Sequence, residues 1–253
     1  MTGARRRTRI TWLSATDPPS AFPPVEEALE NPNGLLAAGA DLSQQRLLSA
    51  YPLGIFPWYE EGQPILWWSP DPRAVLPPDQ FKLSSRLRRT LRQGKFSVRA
   101  DSAFDQVIAG CAGPRRYGRG TWITADMKAA YRQLHSAGWC HCVEVWQGDQ
   151  LAGGIYGLAI GRVFFGESMF SAVRDASKVA LAHLCAFLAA AGYVLLDCQD
   201  WSAHLQTLGA SLMPRSQFVA LLQRNCYPAG MPGSWQSRFD GFMAQADSLP
   251  WQR

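Results

Sequence analysis

Residues 64–73, Pro64-Ile-Leu-Trp-Trp-Ser-Pro-Asp-Pro-Arg73, put two adjacent tryptophans among three prolines. Each proline removes a ladder donor and fixes φ, so a packing strand has little use for them. A flexible linker has no use for two indoles. The segment is therefore expected to form a rigid, aromatic-rich turn. It must be explained together with Gly54-Ile-Phe-Pro-Trp58, which lies just before it.

The surrounding pattern divides the chain. Residues 1–20 are basic and then proline-rich, which predicts a loose start. Residues 21–80 are dense in Pro, Gly and Trp, with one short helix capped by Asp41 or Ser43; this predicts a small, irregular N-terminal domain ending at Pro77-Pro78. Residues 81–253 read differently. Helices are expected over Phe81–Arg92, Ala103–Cys111 (capped by Asp101 or Ser102) and Ala125–Ala137 (capped by Thr124). Three strands follow, joined by tight turns at Gly148-Asp149 and Gly161-Arg162. An apolar helix from Ala176, a buried strand over Tyr193–Cys198 and two shorter helices complete the pattern. This order predicts an α+β domain whose sheet carries helices on its faces. With 47% hydrophobic residues among 253, the chain can bury a real core.

The net charge of +5 is unevenly spread. Arg5, Arg6, Arg7 and Arg9 crowd the start, where a solvated tail explains them. Arg86, Arg88, Arg89, Arg92 and Lys95 form a second cluster, and Arg115, Arg116 and Arg119 a third. Such clusters suit a polyanionic partner. The six cysteines form no CxxC pair, which points to a reduced, cytosolic protein; no secretory leader or membrane-spanning stretch is evident. In Cys140-His-Cys142, strand alternation sends the histidine to the opposite face from the two thiols, so no metal site is expected.

Two short segments carry chemistry. Glu167, in Gly166-Glu-Ser-Met-Phe-Ser171, is an acid among apolar neighbours. Such a carboxylate must open into a cleft, be paired, or be protonated. In Leu195-Leu-Asp-Cys-Gln199, Asp197 and Gln199 are two apart and would share one strand face, where they could orient an amine nucleophile. A hydrogen-bonded turn or helix cap is the alternative for each. Trp58, Trp67, Trp68 and Trp122 are large enough to stack on bases, although each alone also suits a core. The helix from Ala176 follows the loop Ser171–Asp175, which lacks the glycine pattern that receives a pyrophosphate in GNAT-type acyltransferases.

Taken in order, Pro32-Asn-Gly-Leu-Leu36, Gly54–Trp58, Trp67-Trp-Ser-Pro70 with Pro72-Arg73, Thr121-Trp-Ile-Thr124, Gly166–Ser171, Asp197-Cys-Gln199, His204 and Leu208-Gly-Ala210 resemble the leucyl/phenylalanyl-tRNA–protein transferase family over about residues 20–225. The resemblance implies a small N-terminal domain on a GNAT-like C-terminal domain with a mixed, largely antiparallel sheet. It implies a cytoplasmic enzyme that moves leucine or phenylalanine, with methionine as a third candidate donor, from aminoacyl-tRNA to proteins beginning with Arg or Lys. The new peptide bond would mark those proteins for degradation. No cofactor is implied, because aminoacyl-tRNA replaces the coenzyme A thioester.

By the same resemblance, Trp58 and Trp122 would hold the terminal adenosine. Ile155, Phe164 and Met169 would line the aminoacyl side-chain pocket. Gln199 would touch the attacking amine, Asp197 would polarise it, and Glu167 would help orient it. Arg86, Arg88, Arg89 and Arg92 would meet acceptor-stem phosphates. Two other readings stay open: an acetyl-CoA-dependent acetyltransferase, and a tRNA-binding module without catalysis. Transfer of leucine from Leu-tRNA to an Arg-initiated peptide separates all three.

Overall fold

The computed structural model describes residues 10–113, 122–227, 232–245, 249, 251 and 252. The expected arginine clusters at 5–9 and 115–119, and Thr121, lie outside the described residues.

Two sheets organise the chain. In the smaller, β1 (Thr11–Leu13) pairs parallel with β2 (Leu35–Gly39), and β2 pairs antiparallel with β4 (Leu66–Trp68), whose other edge carries β3 (Phe56–Pro57). Helix α1 (Gln44–Ala50) lies between β2 and β3 in sequence and is capped by Ser43, whose Oγ accepts from the Arg46 N–H.

Two expectations need correction here. The start is not loose from residue 11 onward. Besides the pairing of β1, the buried Arg46 guanidinium donates to the carbonyls of Pro18 and Asp17 at 3.3 and 2.9 Å and pins that stretch. The double-tryptophan segment is also not simply a turn, because Leu66–Trp68 is a strand. Its prolines sit outside the ladder, Pro64 before it and Pro70 and Pro72 after it, so none is asked to donate. Trp67 is fully buried, and its Nε1 donates to the Gly39 carbonyl at 3.0 Å.

The larger sheet contains β5 (Arg73–Leu76), β6 (Ser97–Ala100), β7 (Cys140–Gln147), β8 (Gln150–Ile160), β9 (Val163–Ser171), β10 (Leu195–Gln199) and β11 (Ser211–Met213), in the order β11-β5-β10-β9-β8-β7-β6. Every neighbouring pair is antiparallel except β9 with β10. This is the mixed, largely antiparallel sheet expected. Residues 73–76, expected in the smaller unit, are a strand of this larger sheet. The helices are α2 (Ser85–Arg92), α3 (Phe104–Cys111), α4 (Ala125–Ser136), α5 (Ala176–Ala190), α6 (Ala203–Thr207), α7 (Arg215–Asn225) and α8 (Gln236–Met243). Helix α2 begins four residues later than expected, because Ser84 rather than an upstream residue caps it. The α3 terminus takes its cap from across the sheet: Glu144 on β7 accepts from the Ser102 and Ala103 N–H groups at 2.7 and 2.9 Å.

Helices cover both sheet faces. Gly153 and Gly154 on β8 show how closely. A methyl on Gly153 would meet Ala176 of α5 at 2.7 Å, and one on Gly154 would meet Val107 of α3 at 3.1 Å. One buried cluster joins the two sheets, running from Leu36, Tyr51 and Trp67 to Val163, Phe165 and Phe218. A second fills the α5 side, with Val145, Ile155, Phe164, Leu188 and Trp235 among its members. Among the described residues, no helix is long and apolar enough to cross a membrane.

Candidate functional site

The pairing of β9 with β10 stops at Phe165–Asp197. Both strands are bulged just there. Opposite β8, Tyr156 faces Ser168 and Gly157 faces Gly166, which leaves Glu167 as the extra residue of β9. Opposite β5, Asp197 faces Val75 and Gln199 faces Ala74, which leaves Cys198 as the extra residue of β10. A bulge re-aims the side chains around it and ends regular pairing. Here the two bulges bring Glu167 and Gln199 together: Gln199 Nε2 donates to Glu167 Oε1 at 2.9 Å. Gln199 has the left-handed φ of 63°, uncommon for a residue with a side chain, and its N–H donates to Asp197 Oδ1 at 2.9 Å.

These two residues lie in a cleft of about 210 Å³. Trp58, Trp122, Cys198 and Asp200 also line it, beside Phe56 and Pro57. Trp58 is 43% exposed. Its ring stands 5.5 Å from that of Trp68, whose Nε1 donates to the Trp58 carbonyl at 2.6 Å. The double-tryptophan strand therefore buttresses one cleft wall. The other wall is tied to it by the contact of the Tyr59 hydroxyl with Thr124 Oγ1 at 3.2 Å, at the cap of α4 just after Trp122.

Glu167 is buried, and its carboxylate is surrounded by donors. The Tyr51 hydroxyl donates to Oε1 at 2.6 Å and the Tyr131 hydroxyl to Oε2 at 2.8 Å. The two hydroxyl oxygens are themselves 2.5 Å apart. Burial pushes the Glu167 acid up to about 7 and the nearby Asp197 charge adds to this, while the bonds from Tyr51, Tyr131 and Gln199 oppose it. Burial and the facing carboxylate hold both tyrosines well above the ordinary phenol range. A carboxyl group poised near neutrality at a cleft wall can accept and return a proton.

Asp197, expected to polarise the attacking amine, does not line the cleft. It is fully buried, and its two oxygens accept from Arg73 Nε and Nη2 at 2.8 and 2.7 Å. The Cys198 bulge breaks the simple two-residue alternation, so Asp197 turns to Arg73 while Gln199 turns to Glu167.

The three residues expected around the donor side chain belong to the α5-side cluster, not to the walls of this cleft. Ile155 and Met169 are direct cross-strand partners, and Phe164 stands 5.5 Å from Trp235. Cys198 lines the cleft and also packs against that same cluster.

The basic helix α2 stands apart from the cleft. Arg88, Arg89 and Arg92 line a shallow groove with Ser85 and Gln93. Arg86 pairs with Asp175 at 3.4 Å, and Arg92 Nε donates to the Trp251 carbonyl at 2.6 Å. Sequence reasoning did not single out Tyr51, Tyr131 or Arg73 as site residues. Tyr131 sits on the apolar face of α4 with Met127, Ala130 and Leu134, where an aromatic reads as core; its only signal is a hydroxyl that needs a partner.

Comparison with known proteins agrees with the order of motifs. The family described as leucyl/phenylalanyl-tRNA protein transferase matches residues 75–223, and its N-terminal domain matches residues 40–71. The chain is 56% identical over 226 residues to the leucyl/phenylalanyl-tRNA–protein transferase of Aromatoleum aromaticum, covering 89% of this chain and 94% of that one. It is 55% identical over 235 residues to the protein of that name from Xanthomonas euvesicatoria, covering 92% and 93%. Among solved structures, a GCN5-related N-acetyltransferase from Kribbella flavida aligns over 66% of this chain and 59% of its own, with 9% identity and a TM-score of 0.34. With matched segments that take in Trp58, Glu167 and Gln199, the chain belongs to the leucyl/phenylalanyl-tRNA–protein transferase family.

Proposed function

We infer that this protein transfers leucine or phenylalanine from aminoacyl-tRNA to the N-terminal α-amine of proteins beginning with Arg or Lys. The transfer forms a peptide bond, takes place in the cytoplasm and marks the acceptor for degradation. Family membership supports the aminoacyl-tRNA donor and the protein acceptor. The observation that carries the chemistry is the Glu167–Gln199 contact in a cleft walled by Trp58 and Trp122.

Aminolysis of an ester needs a free amine held against an activated carbonyl carbon, and positioning supplies most of the barrier reduction. Trp58 and Trp122 present ring faces on which the terminal adenosine stacks. Gln199 has its Nε2 fixed by Glu167, which leaves its carbonyl oxygen to accept from the acceptor amine. Asp197 is a positioning residue: through the Gln199 N–H it holds the strained backbone at 199, and through Arg73 it is itself neutralised. The donor side chain would pass beside Cys198, between β9 and β10, toward Met169, Ile155 and Phe164. Helix α2, with Arg86, Arg88, Arg89 and Arg92, would track acceptor-stem phosphates with little sequence reading. The acidic side chains Glu167 and Asp200 in the cleft lining suit a cationic N-terminal residue.

The test is direct. Incubated with radiolabelled Leu-tRNA, the protein is expected to label a peptide that starts with Arg and to leave one with an acidic N-terminus unlabelled. No label in the Arg peptide overturns the reading.

A further inference from the structure

Glu167, Tyr131 and Tyr51 close a ring of three oxygen contacts that two phenol protons cannot fill. The contacts are Tyr51 to Glu167 Oε1 at 2.6 Å, Tyr131 to Glu167 Oε2 at 2.8 Å, and Tyr51 to Tyr131 at 2.5 Å. Each phenol has one proton, and an ionised carboxylate has none. With Glu167 ionised, one of the three contacts sets lone pair against lone pair. With Glu167 protonated, every contact is filled in one direction: Glu167 donates to Tyr131, Tyr131 to Tyr51, and Tyr51 back to Glu167. The bond from Gln199 Nε2 is made in either state.

We propose that this ring is the proton acceptor of the transfer step, with Glu167 receiving the proton at the cleft and Tyr51 and Tyr131 acting as positioning residues that complete the ring around it. The proposal rests on the aminoacyl-transfer reading above. The acceptor enters as an ammonium ion. One N–H bond breaks and its proton passes to the Glu167 carboxylate, leaving a free amine. The amine lone pair then forms the C–N bond at the ester carbonyl carbon. The bond from that carbon to the ribose 3′ oxygen breaks, and the departing oxygen takes the second proton shed by the nitrogen. Glu167 later releases its proton to solvent, so one proton leaves per peptide bond formed.

Several other titratable groups face this ring. Tyr156 of β8 and Cys140 of β7 act on it electrostatically, and burial, with the Glu167 and Asp101 charges behind it, opposes ionisation of the Cys140 thiol. Asp197 of β10 is the remaining charge that opposes ionisation of Glu167, and Arg73 compensates it. The ring's own titration is thus the one expected near neutrality, in keeping with burial holding Glu167 at about 7.

The experiment pairs two readouts. The first is the carboxylic-acid infrared band of Glu167, taken as wild type minus Glu167→Gln and followed against pH without substrate. The second is the pH dependence of kcat/KM for an Arg-initiated peptide with Leu-tRNA. For the wild type, both should turn near pH 7, with transfer falling about tenfold per unit below it. In Tyr51→Phe and in Tyr131→Phe the ring is opened. The protonated state loses two bonds, whereas the ionised state loses one and is relieved of its unfilled contact. Both turning points should therefore move down, by roughly half to one unit, the size of one hydrogen bond. Taken singly, each tyrosine's bond to the carboxylate lowers the Glu167 acid; if these separate bonds outweighed the closed ring, removal of either tyrosine would move both turning points up. An upward shift, no shift, or an unchanged transfer profile in Glu167→Gln overturns the proposal. If wild-type protein gives no transfer while the infrared band still behaves as expected, the functional reading fails and the ring chemistry stands.

Discussion

Arg73 and Asp197 form a two-bond ion pair at 2.8 and 2.7 Å that is closed to solvent on both sides, with 1% and 0% of the side chains exposed. The guanidinium also donates to the Gly54 carbonyl at 3.2 Å and lies 4.6 and 4.8 Å from the ring centres of Phe56 and Phe218. One cation thus fixes both the segment leading to Trp58 and the strand that ends in Gln199.

Removing one partner of such a pair leaves a buried charge without compensation, a loss of about 3–5 kcal/mol. Arg73→Met alone or Asp197→Leu alone is expected to lower the urea midpoint accordingly. The double variant should recover most of that loss, because two apolar side chains replace two charges. Transfer should stay impaired in the double variant, since the Gln199 N–H loses its acceptor. A double variant with wild-type transfer would show that Asp197 positions nothing.

Trp58 and Trp68 are in contact but should respond differently. Trp58 is 43% exposed at the cleft, so Trp58→Ala is expected to raise KM for aminoacyl-tRNA while leaving the melting temperature close to wild type. Loss of one stacked base is worth ~1–3 kcal/mol. Trp68 is half-buried within β4 and bonded to the Trp58 carbonyl. Trp68→Ala should therefore lower stability at least as much as it lowers transfer. Melting curves run beside KM measurements decide between these outcomes.

What was legible in the sequence, and what was not, follows from these same residues. Periodicity placed the hairpin strands β7, β8 and β9 and helix α5, because alternation and helical spacing are properties of neighbouring residues. Trp58 and Glu167 stood out because a bulky or charged group in an apolar context needs a reason, and Gln199 because it lies two residues from Asp197. Bulges leave no such trace. One extra residue at Glu167 and another at Cys198 decide that Glu167 meets Gln199 while Asp197 turns to Arg73, and strict alternation cannot foresee that. Tyr51 and Tyr131 are 80 residues apart, and nothing local says their hydroxyls converge. The cap of α3 by Glu144 was missed for the same reason: the acceptor is more than 40 residues away.

Arg88 and Arg89 lie along the shallow groove on α2, which shares no lining residue with the cleft. If they meet phosphates, each substitution releases up to one counterion contact, and the slope of log KM against log salt should flatten by up to about 0.9 per arginine. Arg88→Ala combined with Arg89→Ala is thus expected to weaken tRNA use most at low salt, with the preference for the esterified amino acid unchanged. An unaltered salt slope would remove α2 from the tRNA path.

Glu167 also links stability to pH, and the sign is set by the direction of its shift. Its acid is held up at about 7 in the folded protein, against 4.5 for an ordinary glutamate. Between those values the folded state binds more protons than the unfolded chain, so stability falls as pH rises. Its contribution is complete below pH 4.5 and lost as pH passes about 7. Asp101 and Asp41 are shifted the other way, below 3.8, so their losses on acidification fall outside that window. His183 and His204 act in the opposite sense, because burial lowers both, His183 from 6.5 to about 4, so wild type and Glu167→Gln alike gain stability from them as pH rises toward 6.5. Only the wild type carries the opposing Glu167 loss, so its urea midpoint should fall relative to that of Glu167→Gln as pH rises through the window. The difference between the two curves isolates the one group, and a difference that does not vary with pH across the window would mean that Glu167 ionises in the fold as easily as in the unfolded chain.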